Sequence, residues 1–70
     1  MPQFTLEEMN LICLYEGENR RKTIRELENM QTYLMPDERA LRELSDSVLQ
    51  KLRQMTDSEY DAFALRYLIL

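Results

Sequence analysis

The spacing of apolar and polar positions predicts helices along the whole chain. Apolar residues recur three or four positions apart in four segments, and no useful stretch alternates apolar and polar residues as a half-buried strand does. One Gly and two Pro leave few of the residues that tight turns and long loops require. We therefore predict an all-α fold, a small bundle of three to four helices with short connections, in a single domain spanning residues 1–70.

The first helix has a clear start signal. Thr5 at the N-cap places Glu8 at the third helical position, which predicts a capping box in which each side chain accepts from the other residue's backbone N–H. Phe4 and Met9 occupy the two positions of a hydrophobic staple. These signals together predict a helix beginning at Leu6.

The first helix is expected to end at about Tyr15 or Glu16. Gly17 follows, and a glycine at this place commonly ends a helix in the left-handed conformation. The inner stripe of the helix is predicted to consist of Leu6, Met9, Ile12 and Cys13.

Two starts are open for the second helix. Asn19 could cap it, but the basic residues 20–22 would then crowd the positive end of the helix dipole. Thr23 with Glu26 offers a later capping box. The helix should stop one or two residues before Pro36, because the residue preceding a proline disfavours the helical region. Its apolar face is predicted to comprise Ile24, Leu27, Met30, Gln31 and Leu34.

The third and fourth helices follow Pro36 and Thr56. Residues 36–38 combine a proline with two acids, a composition suited to a first helical turn. Thr56 with Glu59 repeats the capping box, and the helix after it runs to the chain end or frays after about Leu65. The third helix is predicted to bury Leu41, Leu44, Val48, Leu49, Leu52 and Met55. The fourth is predicted to present Tyr60, Phe63, Ala64, Tyr67 and Leu68 on one side.

One local excess of positive charge stands out in an acidic chain. The net charge is −4 and the isoelectric point is near 4.7, which disfavours generic binding to nucleic acid. The basic cluster could hold a phosphate backbone or an acidic partner, or nearby glutamates could simply neutralise it. The cluster consists of Arg20, Arg21, Lys22 and Arg25, and the neutralising acids would be Glu18, Glu26 and Glu28.

The residue inventory excludes several kinds of catalytic site. With no His and one Cys, zinc sites of the Cys/His kind and His-based triads cannot form. We predict no catalytic residue, no metal ligand, no cofactor and no enzymatic activity. Cys13 is expected to be a small buried apolar residue. The acids Asp57 and Glu59 are interpreted as first-turn residues favoured by the helix dipole, and Asp61 beside them adds no calcium-loop pattern.

Cellular location and assembly are also constrained by the sequence. A single cysteine is typical of a reducing compartment, no signal peptide is recognisable, and the longest apolar run, 11–15, is too short to span a membrane. We therefore expect a cytoplasmic protein, monomeric or weakly dimeric. The four tyrosines and five methionines are expected to lie mostly in the core.

The last residues hold more apolar side chains than one helix face can hide. We expect this end either to dock across the bundle on more than one side or to leave a patch that a partner or second copy covers. The candidate apolar interface comprises Tyr67, Leu68, Ile69 and Leu70.

Four stretches, taken in their order and spacing, resemble the transposon-transfer assisting protein family. These stretches are residues 7–15 (EEMNLICLY), 33–38 (YLMPDE), 46–52 (DSVLQKL) and 55–60 (MTDSEY). Two places depart from the family pattern: residues 17–22 are more charged than expected, and the chain ends on an apolar rather than a polar tail. The resemblance implies an accessory role in a bacterial conjugative transposon and supplies no catalytic residues.

Two hypotheses for function follow. The first is a non-enzymatic accessory protein that assists transfer or maintenance of the transposon by binding another protein. The alternative is a DNA-associated accessory that places the basic cluster on the phosphate backbone, with an affinity that falls steeply as salt rises.

Overall fold

Four helices form the architecture of residues 3–68, the part of the chain that the computed structural model describes. Helix α1 spans Leu6–Tyr15, α2 spans Arg20–Gln31, α3 spans Arg39–Gln54 and α4 spans Asp57–Tyr67. The longest helix, α3, packs against both α1 and α2, and α4 packs against α2. The prediction of a small all-α bundle with short connections is confirmed.

The core is built chiefly on α3, whose predicted stripe is confirmed. Val48, Leu49 and Leu52 are buried, and Leu41 and Leu44 pack partly buried against the core. The other helices and connections each add one or two large side chains. The buried apolar residues are Leu11, Ile12, Leu27, Val48, Leu49, Leu52, Met55, Tyr60 and Phe63.

The predicted start of α1 is confirmed. The Glu8 backbone N–H donates to Thr5 Oγ1 at 3.2 Å, and the Thr5 N–H donates to Glu8 Oε1 at 2.8 Å. Phe4 and Met9, the two predicted staple residues, both pack partly buried against the core. The Phe4 ring lies 5.0 Å from the Phe63 ring, so the segment before α1 is anchored on α4.

The predicted inner face of α1 is confirmed for Ile12, which is buried, and for Met9, which packs partly buried against the core, but it is wrong for Leu6 and Cys13. Leu6 is 70% exposed and Cys13 is also exposed, whereas the buried residues are Glu8, Leu11 and Ile12. The helix is therefore rotated relative to the prediction, with a glutamate on its core side. This rotation is possible because partners on α3 satisfy the Glu8 carboxylate.

Helix α1 ends at Tyr15, as predicted, but Gly17 does not have the predicted conformation. No residue among 3–68 has a positive φ, so Gly17 does not adopt the left-handed conformation. Glu16 instead leaves the helix in an extended conformation, with φ −60° and ψ 140°. Gly17 is needed for space, because a Cβ there would lie 2.5 Å from the Lys22 Cβ.

Helix α2 takes the earlier of its two possible starts. Asn19 is the N-cap, and its Oδ1 accepts the Lys22 N–H at 2.9 Å, so the later capping box at Thr23 does not form. The helix also ends earlier than predicted, at Gln31. Its last turn tightens because the N–H groups of Thr32 and Tyr33 bond to carbonyls three residues back.

The last two helices begin close to their predicted starts. Helix α3 begins at Arg39, so residues 36–38 form the turn before it rather than its first turn. The capping box of Thr56 and Glu59 is confirmed, with N–H to oxygen distances of 2.8 and 3.1 Å. Helix α4 ends at Tyr67. None of the helices in residues 3–68 has the length and apolarity needed to cross a membrane.

Candidate interaction surface

Two open grooves meet at the turn between α1 and α2. The residues Glu16, Gly17 and Glu18 line both, so the turn forms a shared wall. We call the two together the acidic groove. The first, of about 500 Å³, is also lined by Leu14, Tyr15, Lys22 and Glu26. The second, of about 400 Å³, is also lined by Tyr60, Asp61, Ala64, Leu65 and Leu68.

The charge of this groove is strongly one-sided. Four carboxylates line it against one lysine, Lys22. Three of the acids, Glu16, Glu18 and Asp61, are exposed, and Glu26 extends the acidic rim along α2. A concave surface with one dominant charge sign concentrates its electrostatic field and attracts groups of the opposite charge. The acidic groove is therefore suited to positively charged groups.

Large apolar side chains stand on both sides of the acidic groove. Leu14 is 78% exposed at the end of α1, and Leu65 is 70% exposed on α4. A third, smaller groove of about 290 Å³ continues from Tyr15 and Glu26 to Tyr33, which is 77% exposed. Apolar groups in such positions can dock apolar side chains of another molecule.

Hydrogen bonds hold the turn in place against α2 and α4. The Gly17 N–H donates to Thr23 Oγ1 at 2.9 Å, and the Thr23 hydroxyl donates to the Asn19 carbonyl at 3.1 Å. Tyr60 Oη lies 2.8 Å from Thr23 Oγ1, and burial raises the pKa of Tyr60. The wall of the acidic groove is thus fixed before any ligand arrives.

In the structure, the residues of the predicted basic cluster have different surroundings. Arg20 is 19% exposed and turns toward the junction of α3 and α4, where Nε donates to Asp57 Oδ1 at 2.9 Å. Its Nη1 donates to the Leu52 carbonyl at 3.0 Å, near the end of α3. Arg20 therefore links three helices, and its guanidinium is occupied by contacts within the protein.

The other members of the basic cluster stay at the surface. Arg21 and Arg25 are exposed one helical turn apart on α2, while Lys22 lines the acidic groove. Glu28 was expected to neutralise the basic cluster. Its Oε2 instead pairs with Nη2 of Arg53 on α3, at 2.6 Å. Two exposed arginines, rather than four adjacent cations, remain as a candidate phosphate contact.

The predicted C-terminal interface is described only in part. Tyr67 is 43% exposed and lies 5.3 Å from the Phe63 ring, and Leu68 packs half-buried against the core. Ile69 and Leu70 lie outside the described residues. Leu65 of the same helix is more exposed, at 70%, and the sequence prediction did not select it.

Several residues expected in the core lie at the surface. Cys13 is exposed, which contradicts its prediction as a buried apolar residue. Tyr33 and Met35 are 77% and 61% exposed, since they follow the early end of α2. The expectation holds for Tyr60 and Met55, which are buried, and for Met9, Tyr15 and Met30, which pack partly buried against the core.

The three acids of α4 make different contacts. Asp57 pairs with Arg20, the Glu59 carboxylate accepts the Thr56 N–H, and Asp61 lines the acidic groove. The hydrogen bond from the Thr56 backbone lowers the pKa of Glu59. Within residues 3–68, no three or more Cys, Asp or Glu side chains are grouped as they would be around a metal ion.

A buried ion pair joins α1 to α3 and was not predicted from the sequence. Glu8, 3% exposed, accepts from Lys51 Nζ at 2.6 Å and from the Ser47 hydroxyl at 2.7 Å. Burial by itself raises the pKa of Glu8, but the hydrogen bonds from Lys51, the Thr5 N–H and Ser47, with the charge of Lys51, outweigh it and lower the pKa to about 2. This pair holds the side of α1 that carries Glu8 against α3.

Comparison with known proteins identifies one family. A family model described as transposon-transfer assisting protein matches residues 4–66, nearly the whole chain. No curated protein and no solved structure matches the chain. The matched range includes all the residues that line the acidic groove except Leu68.

Proposed function

The chain belongs to the transposon-transfer assisting protein family, and on that premise we propose that it is a non-enzymatic accessory protein that binds another protein. The name of the family associates it with transposon transfer, and we place this role in a bacterial conjugative transposon. The proposal also includes a cytoplasmic location, where an exposed thiol such as Cys13 stays reduced.

The observation that carries this proposal is the exposure of large apolar side chains around the acidic groove. Leu14, Leu65 and Tyr33 are each at least 70% exposed. Single exposed apolar residues are common, but several beside a concave surface are typical of an interaction site. A surface of this kind supports protein binding better than it supports catalysis.

Binding to DNA through the basic cluster is less well supported. Arg20 is engaged by Asp57 and the Leu52 carbonyl, and Lys22 lies among carboxylates. The net charge of −4 adds a general repulsion from phosphate. Of the four cluster residues, Arg21 and Arg25 are exposed to solvent and do not line the acidic groove.

Affinity capture with nuclease treatment tests the proposal. The tagged chain is isolated from cells that carry its transposon, with and without nuclease, and the recovered proteins are identified by mass spectrometry. We expect one protein encoded by the transposon to be enriched in both samples. Recovery that disappears with nuclease would favour the DNA hypothesis, and salt-dependent binding of duplex DNA that is lost in Arg21→Gln/Arg25→Gln would establish it.

A further inference from the structure

We propose that the acidic groove binds a basic amphipathic segment of the partner protein. The cations of that segment would meet Glu16, Glu18 and Asp61, and its apolar side chains would meet Leu14 and Leu65. This inference rests on the proposed function, because it names the chemistry of the partner at one surface.

The charge argument starts from the shared wall of the groove. Glu16 and Glu18 flank Gly17 and face both halves of the groove, and Asp61 lies across the second half on α4. All three are exposed, so their carboxylates are open to a partner. Complementary charge speeds the encounter of two proteins and favours some partners over others. Here it favours a partner that presents Lys and Arg.

The apolar argument comes from the two leucines. Leu14 lines one half of the acidic groove and Leu65 lines the other, and both are at least 70% exposed. A segment that crosses the Glu16–Glu18 wall can therefore place apolar side chains on either side of a row of cations. An amphipathic basic helix carries apolar side chains on one face and cations at the edges of that face, so it can offer both kinds of group to the acidic groove.

The other possible occupants fit less well. Nucleic acid would bring its phosphates against the carboxylates of the groove. A second copy of the chain also carries a net charge of −4, and the Arg20 of that copy is held in its own ion pair. A basic partner segment satisfies both the charge and the apolar side chains.

A synthetic peptide can test this surface directly. The probe is a Leu/Lys amphipathic peptide of about five helical turns, and a peptide with Glu in place of every Lys is its control. Binding is followed by two-dimensional ¹⁵N–¹H NMR in low-salt buffer. We expect the Leu/Lys peptide to shift the amides of residues 14–18 and 61–65, and the Leu/Glu peptide to shift none of them.

Matched variants distinguish the effect of the groove acids on peptide binding from the effect of the net charge of the protein. The groove variant is Glu16→Gln/Glu18→Gln/Asp61→Asn, and the control variant is Glu7→Gln/Asp37→Asn/Glu43→Gln. Both remove three exposed acids, so both change the net charge equally. We expect the groove variant to weaken peptide binding by about tenfold and the control variant by less than about twofold.

A second pair of variants tests the apolar contact. Leu65 and Leu6 are both 70% exposed, but only Leu65 lines the acidic groove. Leu65→Ser should weaken peptide binding, and Leu6→Ser should leave it unchanged. Because both side chains are at the surface, neither change should unfold the protein.

Each of the following results would overturn this inference. Equal weakening in both triple variants would mean that binding follows net charge alone. Shifts outside the groove, or no shifts, would mean that the groove does not take this segment. Doubling of the molecular mass without peptide, lost in the groove variant, would identify a second copy as the occupant. If the groove variant still captured the transposon-encoded protein from cells, the proposed function would stand while this inference failed.

Discussion

Arg20 donates its Nε hydrogen to Asp57 at 2.9 Å, across the junction where α3 ends and α4 begins. The same guanidinium donates to the Leu52 carbonyl, a backbone group at the end of α3. Charged donors near the last carbonyls of a helix are stabilising. The first residue of the predicted basic cluster is thus part of the fold.

Replacing Arg20 should therefore reduce stability. We predict that Arg20→Gln lowers the free energy of unfolding by about 1–2 kcal/mol, through loss of two charge-assisted hydrogen bonds. Arg21→Gln, on the same turn but exposed, should change it by less than about 0.5 kcal/mol. Urea denaturation measures both. Unchanged stability of Arg20→Gln together with loss of DNA binding would reassign Arg20 to a phosphate site.

The buried Glu8 carboxylate should make stability depend on acid pH. Its folded pKa of about 2 lies below the ordinary value of 4.5, so its contribution is complete above pH 4.5 and is lost as the pH falls through about 2. The contribution amounts to about 3 kcal/mol. Denaturation of the wild type and Glu8→Gln across this range measures it.

The matched control for this acid dependence is Glu7→Gln, which removes the neighbouring exposed carboxylate. Glu7→Gln should keep the steep loss of stability below pH 4.5, whereas Glu8→Gln should be less stable at neutral pH and flatter in acid. If Glu8→Gln retained the full acid dependence of the wild type, the ion pair with Lys51 would not be its origin.

Gly17 should resist replacement although its φ is not positive. An alanine Cβ would lie 2.5 Å from the Lys22 Cβ, an atom next to the backbone that cannot move without shifting α2. We predict that Gly17→Ala lowers the free energy of unfolding by about 1–3 kcal/mol. A gain of up to about 1 kcal/mol, the usual effect of removing a glycine from a compatible site, would show that the turn relaxes easily.

The hydroxyl groups of Thr23 and Tyr60 should contribute unequally to the free energy of unfolding. Thr23 Oγ1 accepts the Gly17 N–H and lies 2.8 Å from Tyr60 Oη, so Thr23→Val leaves the Gly17 N–H without its acceptor and the buried Tyr60 hydroxyl without its partner. We predict a loss of about 2–3 kcal/mol for Thr23→Val and about 1 kcal/mol for Tyr60→Phe. A double-mutant cycle measures their coupling. Equal costs in the two variants would mean that another acceptor replaces Thr23.

Local signals predicted the helix starts well. The capping boxes at Thr5 and Thr56 depend on residues three positions apart, so the sequence contains all the information they need. The stripe of α3 is similarly clear, because its apolar residues recur along one helical face.

The rotation of α1 could not be predicted because it depends on distant residues. Glu8 is buried only because Lys51 and Ser47, 43 and 39 positions away, satisfy its carboxylate. A face containing a glutamate looks unsuitable for a core until those partners are known.

The role of Arg20 in the fold could not be predicted for the same reason. Its ionic partner, Asp57, lies 37 positions away, and the sequence offered nearer acids as partners. The acidic groove likewise combines the α1–α2 turn with α4, elements that only the packing of the bundle brings together. A sequence signal was present in Glu16 and Glu18 on either side of a lone glycine, but it did not indicate a groove.

Transfer frequency of the transposon tests the central claim most directly. Cells whose transposon encodes the wild-type chain, the groove variant Glu16→Gln/Glu18→Gln/Asp61→Asn or the control variant Glu7→Gln/Asp37→Asn/Glu43→Gln are compared at equal protein abundance. We predict that the groove variant lowers transfer and that the control variant leaves it at the wild-type level. Wild-type transfer with the groove variant, while deletion of the whole chain lowers it, would contradict a role for the acidic groove.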